Sequence, residues 1–234
     1  MTTIPSDNGP PASEEILRAA AELMRTGGID AVSTRAVAAA AGVQSPILYR
    51  QFGDKKTLLD AVTRYVFDEY MAEKRRLSAA SADPLRDLRR LWDLHVDFGL
   101  THPHCYLLGY VHTGQRAAEA SGARSLVMLR QVVARLASQG RLRVSVDRAT
   151  ALIHAAAMGV VLTLISTAPP ERDLSMSRAL RDSTLAMIVH DEPCMQTRTA
   201  DLPSRAIALR QTLGESGQLT NAERQLLDEW LIRL

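Results

Sequence analysis

The sequence predicts an all-α protein, on three observations. Apolar residues recur three and four positions apart through most of the chain, the spacing that gathers them on one side of a helix. Residues that open and close helices punctuate those runs: Ser13, Ser45-Pro46, Asp54, Thr220 ahead of Glu223, and glycines at 27, 28, 42 and 140. The one short Val-containing run, residues 141–145, has no partner of alternating pattern, so no sheet is expected.

Residues 1–12 are small, polar and proline-rich, the makeup of a disordered arm. Ser13 is placed to cap a first helix, in which Glu14 and Glu15 meet the positive end of the dipole and Ile16, Ala19, Ala20, Leu23 and Met24 form the stripe. Gly27-Gly28 ends it. Ser33 or Thr34 opens a second, short helix to about residue 41, with Val37 and Ala38 inward, and Gly42 supplies the positive φ of a tight turn plugged by Val43. Ser45-Pro46 reads as N-cap and first position of a third short helix, ending at 49 or 50, because proline there loses only a bond that would be absent anyway. Asp54 caps a fourth, 55–77, with stripe Leu58, Leu59, Val62, Val66 and Phe67.

A linker over 78–84 leads into a longer helical series. Leu85, Leu88, Leu91, Trp92 and the run from His95 to Phe98 mark one helix, Pro103 interrupts, 104–112 is a short apolar segment, and 117–138 is another helix that closes near Gly140. Residues 149–170 contain no Asp, Glu, Lys or Arg, long enough to raise a membrane span. Thr150, Thr163, Ser166, Thr167, two closing prolines and the lack of aromatic belts favour a helix buried on several sides, within its own domain and against a second copy. A second such helix, 176–190, would complete that interface. Residues 191–203 read as a loop, 206–213 as a helix, and Thr220 with Glu223 as a capping box opening an amphipathic helix with Leu226, Leu227, Trp230, Leu231 and Leu234. The expected domains are 13–60, 61–192 and an extension over 193–234.

Composition excludes little by itself. The 28 basic residues, all but three of them arginine, stand against 26 acidic ones, so a net charge of +2 neither demands nor forbids a polyanionic partner. Cys105 and Cys194 read as lone thiols of a reducing compartment, and the N-terminus has no basic segment followed by an apolar one, so a cytoplasmic protein without a membrane partner is expected. His102, His104 and Cys105 are close together, with His95 and His112 near, but adjacent residues project differently from a helix and no Cys-x-x-Cys accompanies them; neither metal nor cofactor is expected. Neither Gly-x-Ser-x-Gly nor Gly-x-x-x-x-Gly-Lys occurs, which argues against an enzyme of the hydrolase or phosphate-transfer type.

The informative stretch is 33–55, two short helices joined by Gly42-Val43, the pattern of a helix-turn-helix. Such a motif lays its second helix in the major groove of duplex DNA, reading base edges with its first residues while phosphate contacts fix its register. Thr34, at a helix start, offers a hydroxyl and a backbone N–H to a phosphate, with Arg35 beside it. Gln44, Ser45, Pro46 and Ile47 lie where bases would be read; Tyr49, Arg50 and Gln51 point to backbone or base, and Lys55 to a flanking phosphate. Val37, Val43, Leu48 and Phe52 read as core. Residues 33–60 carry four basic and two acidic side chains, a modest excess in the right direction.

From about residue 16 to 59 the sequence resembles the TetR (tetracycline-repressor-like) family of bacterial transcriptional regulators. The resemblance rests on the alanine-rich first helix, Gly28 and Ala31, Thr34 with Ala38, Ala41-Gly42-Val43, Leu48-Tyr49, Phe52, Lys55 and Leu58-Leu59; Gln51 stands where the family commonly has histidine. It implies an all-helical homodimer with an N-terminal three-helix DNA-binding domain and a larger C-terminal domain for ligand binding and dimerisation. The function expected is a repressor released by a small-molecule effector from a near-palindromic operator, with dimer contacts through 149–168 and 175–190. A mixed wall of His95, Phe98, Tyr106, Tyr110, His112 and His154 is the expected ligand pocket, an apolar body with few polar handles. The alternatives are a metal-responsive regulator of the same fold and an all-α enzyme acting on the pocket ligand.

Overall fold

The structure is a computed structural model that describes residues 12–79, 82–110, 116–190, 202–214 and 219–233. The expected arm through residue 11, His112, and the expected loop from 191 to 201 with Cys194 lie outside the described residues. The helices are α1 (Ala12–Ala31), α2 (Thr34–Ala41), α3 (Ser45–Phe52), α4 (Lys55–Ala79), α5 (Pro84–Thr101), α6 (Pro103–Tyr110), α7 (Arg116–Ser138), α8 (Val146–Ser166), α9 (Leu174–Ile188), α10 (Leu202–Gly214) and α11 (Asn221–Ile232), with a 3-10 turn at Pro169–Glu171. Among the described residues the only β pairing is an isolated antiparallel bridge, Leu142 to Val189. The fold is all-α.

The chain forms two compact units. The first is drawn from residues 1–71 and 101–122, the second from 72–100 and 123–234. In the first, Ile16, Ala20 and Met24 of α1, Val37 of α2, Leu48 of α3 and Leu58, Val62, Val66 and Phe67 of α4 are buried. Removing apolar area of this kind from water is the main favourable contribution to folding. Gly109 of α6 is where the Phe67 ring lies, so that a Cβ there would overlap it. The Phe67 and Tyr110 rings lie 5.7 Å apart, Tyr106 and Tyr110 4.7 Å, and Cys105 Sγ is 3.4 Å from Met24 Sδ.

In the second unit, α5 contributes Leu88, Leu91, Trp92 and Phe98, α7 Val132, Val133 and Leu136, α8 Ile153, Val160, Val161 and Leu164, and α9 Leu185 and Ile188, all buried. Two bonds join polar groups caught in this core: Trp92 Nε1 donates to Ser177 Oγ at 3.1 Å, and Arg135 Nη1 donates to Oδ2 of fully buried Asp87 at 2.9 Å. By length and composition α8 could cross a membrane; 39% of its most apolar window is buried within the protein. Arg210 grips Asp228 through two bonds of 2.5 and 3.0 Å, joining α10 to α11.

Several boundaries differ from the expectation, each for a local reason. α1 already includes Ala12, so Ser13 lies inside the helix, and the break comes at Gly28, whose φ of 73° leaves one further turn before Val32. Gln44, not Ser45, is the N-cap of α3; Ser45 is its first residue, Pro46 follows within the first turn where its missing N–H is harmless, and the helix runs on to Phe52. Pro103 opens α6 rather than only interrupting, for the same reason. α9 begins at Leu174 because Asp173 caps it, accepting from Ser175 N at 2.9 Å, and ends at Ile188. α10 begins at Leu202, so the expected loop ends earlier than 203.

Candidate nucleic-acid interface and ligand cavity

The helix-turn-helix is set by caps and a few buried side chains. Ser33 Oγ accepts from Ala36 N at 3.1 Å, satisfying an N–H that the first turn of α2 leaves open. Gly42, at φ 67°, turns the chain out of α2 in the left-handed region, and Val43 N returns a 3.0 Å bond to Ala38 O. Val37, Ala38 and Leu48 face inward and fix α2 and α3.

The opposite face of α3 meets solvent. Gln44, Pro46, Tyr49, Arg50 and Gln51 are exposed, Ser45 and Ile47 half-buried, and Tyr49 keeps 57% of its surface in water above buried Leu48. Tyr49 OH lies 3.3 Å from Thr34 Oγ1, which ties the start of α2 to the outer face of α3. Arg35 and Lys55 are exposed at the starts of α2 and α4. Asp54 caps α4 through Thr57 N at 2.7 Å, and that backbone bond holds its carboxyl below the usual range. The ten expected DNA-contact residues thus lie at the helix starts and outer face of one motif within one unit. Lys56, exposed beside Lys55, was not among them, although its place in the first turn of α4 was a signal.

The expected ligand wall divides. His95 of α5 and His154 of α8 line one cavity of the second unit together with Lys74, Ser125 and Trp92. Phe98 is buried in the second unit, whereas Tyr106 and Tyr110 belong to the aromatic cluster around Phe67 in the first, and His112 lies outside the described residues. Burial pushes both imidazoles below their ordinary range. Lys74 Nζ donates to Ser125 Oγ at 2.6 Å, and burial brings its ammonium down to about 7. Burial also raises the Cys105 thiol to about 12, which leaves it protonated and unreactive at neutral pH. Among the described residues no three His, Cys, Asp or Glu side chains gather as a metal site.

Residues 16–62 match the family model of the bacterial regulatory proteins, tetR family. The N-terminal segment of the chain is thus similar to TetR-family regulators. The HTH-type transcriptional repressor KstR2 of Mycobacterium tuberculosis is 30% identical over 104 residues, 44% of this chain and 52% of that protein. The class A tetracycline repressor protein from transposon 1721, of Escherichia coli, is 38% identical over 68 residues, 29% of this chain and 30% of that protein. The chain therefore spans about half or less of the length of these curated relatives. Among solved structures, a putative transcriptional regulator from Saccharomonospora viridis in complex with choline has a TM-score of 0.66 at 18% identity, covering 76% of this chain and 98% of that one. That likeness is one of fold.

Proposed function

We propose that this chain is a DNA-binding transcriptional repressor of the TetR family, released from its operator when a small molecule occupies the second unit. The observation that carries the reading is the outer face of α3: exposed Gln44, Pro46, Tyr49, Arg50 and Gln51 over buried Leu48, with Tyr49 and Thr34 linked beside it. A helix of this size enters the major groove, and helix starts such as those of α2 and α4 hold phosphates. The names of the curated relatives, both repressors, support the same reading.

Two copies are needed for a near-palindromic operator, with half-sites about 34–36 Å apart. Residues 149–168 and 175–190 supply the candidate dimer face: α8 leaves Ala151, Ala155, Gly159 and Thr163 exposed, and α9 leaves Leu180 and Met187 exposed. Small residues allow two helices to approach closely, and the exposed apolar ones would leave water on association. A ligand that prefers the DNA-incompetent conformer by about 1–3 kcal/mol weakens operator binding roughly 5- to 150-fold.

Footprinting on the DNA flanking its own gene tests the proposal. The expected result is two protected half-sites about one helical turn apart and affinity that falls steeply with salt. Absence of a footprint, or binding indifferent to salt, would overturn it.

A further inference from the structure

The cavity around Lys74 is basic at its centre and apolar at its wall. Lys74, with 4% of its surface exposed, enters from α4; Ser125 from α7, His95 from α5 and His154 from α8 face the same space, against Leu91 and Trp92. The side chains that can donate to an occupant are thus an ammonium, a hydroxyl and two imidazole N–H groups. An anion is the guest such a set recognises best, because charge-assisted bonds from a fixed ammonium are the strongest available there.

Size narrows the anion. The free volume is about 30 Å³, room for about two water-sized groups. That room suits the two oxygens of a carboxylate better than the larger tetrahedral phosphoryl group. The α7 side is the thin wall, where Leu126 is 37% exposed and Leu129 half-buried, so an apolar body attached to the head finds its place along α7.

Resting on the ligand-release reading above, we infer that this cavity receives the carboxylate head of the effector, an acidic amphiphile, with Lys74 as its cationic partner and Ser125 as the hydroxyl that positions Lys74. Binding then draws a proton onto the amine. The titratable groups facing Lys74 among the described residues are His95 and His154, and both are held neutral near pH 7 by burial. Lys74, brought to about 7, is the group that changes charge. Below that pH the amine is charged with or without ligand and affinity is flat. Above it, affinity falls roughly tenfold per pH unit until the raised value of the complex is reached.

Calorimetric titration of the full chain with octanoate, and with octanamide as the uncharged counterpart, tests the assignment. Octanoate should bind at least about tenfold more tightly at pH about 6.5, and the advantage should shrink above the midpoint of the free amine. Lys74→Met should abolish the preference while leaving octanamide binding within about threefold. As the chain has only three lysines, Lys55, Lys56 and Lys74, carbon-13 labelling of lysine resolves each titration without any substitution. The Lys74 midpoint should rise by about one to three units with octanoate bound. Equal affinity for the two probes, no octanoate binding at millimolar concentration, an unmoved Lys74 midpoint, or a Lys74→Met protein that keeps the preference would each overturn the inference. Octanoate that binds through Lys74 yet leaves operator affinity unchanged sinks the release reading and spares the carboxylate site. Release of the operator by a neutral compound or by choline, with the Lys74 midpoint unmoved, does the reverse.

Discussion

The outer face of α3 and the cavity around Lys74 hold polar groups in opposite ways. On α3, Tyr49, Arg50 and Gln51 stand in water over a thin apolar underside, Leu48. Around Lys74 the polar groups point into the protein, and their ionisation is set by burial. The first arrangement can be altered with little effect on folding, because those side chains are largely exposed and Tyr49 alone of them bonds within the motif, to Thr34. The second is tied to stability, because a buried amine weakens the fold whenever it must carry its proton.

This contrast leads to four measurements, taken here in descending size of effect. Replacing Tyr49 and Lys55 together with alanine should lower operator affinity by about 10²–10³-fold, at about 1–3 kcal/mol per contact, with the melting temperature nearly unchanged. Fluorescence anisotropy on labelled operator paired with a thermal melt reads both, and a large drop in melting temperature would mean that these side chains support the fold instead. Leu48→Ala, one position away but 1% exposed, should cost about 2–5 kcal/mol of stability in denaturant titration.

Lys74 gives the third. Its amine titrates near 10.5 in the unfolded chain and about 7 in the folded one. Between those values the unfolded state holds more protons, so stability should rise with pH, by at most about 1.4 kcal/mol per unit from this group. Lys74→Met should remove that slope and be more stable than the parent below pH about 7; melting curves across the range would detect a slope that survives. Smallest is Thr220→Ala, which deletes the hydroxyl that accepts from Glu223 N and meets the Glu223 carboxylate at 2.7 Å. It should loosen α11 by about 0.5–2 kcal/mol, seen as faster amide exchange confined to that helix.

The helix-turn-helix was readable from the sequence because its determinants are local: a cap at Ser33, a left-handed glycine at 42, a helical stripe through Val37 and Leu48. Helix ends moved by a few residues where proline or a competing cap decided the matter, as at Gln44 and Asp173. The cavity was only half found. His95 and His154 stand out as polar residues in apolar runs, but Lys74 lies beyond the apolar stripe expected for α4, although it is one heptad past Phe67 and thus extends the buried side of that helix. Nor could spacing tell that Tyr106 and Tyr110 join Phe67 in the first unit while His95 and His154 lie in the second. Helical period assigns a side of a helix; which partner covers that side depends on contacts distant in the chain.

The division of the chain at 71/72, 100/101 and 122/123 has a practical corollary for anyone wishing to build hybrid regulators. Cutting once after α4 and grafting the leading piece onto a foreign sensor would strip Phe67 of Gly109 and Tyr110, and Met24 of Cys105. A working chimera has to transplant α6 along with the leading helices, as two separate insertions of one genetic part.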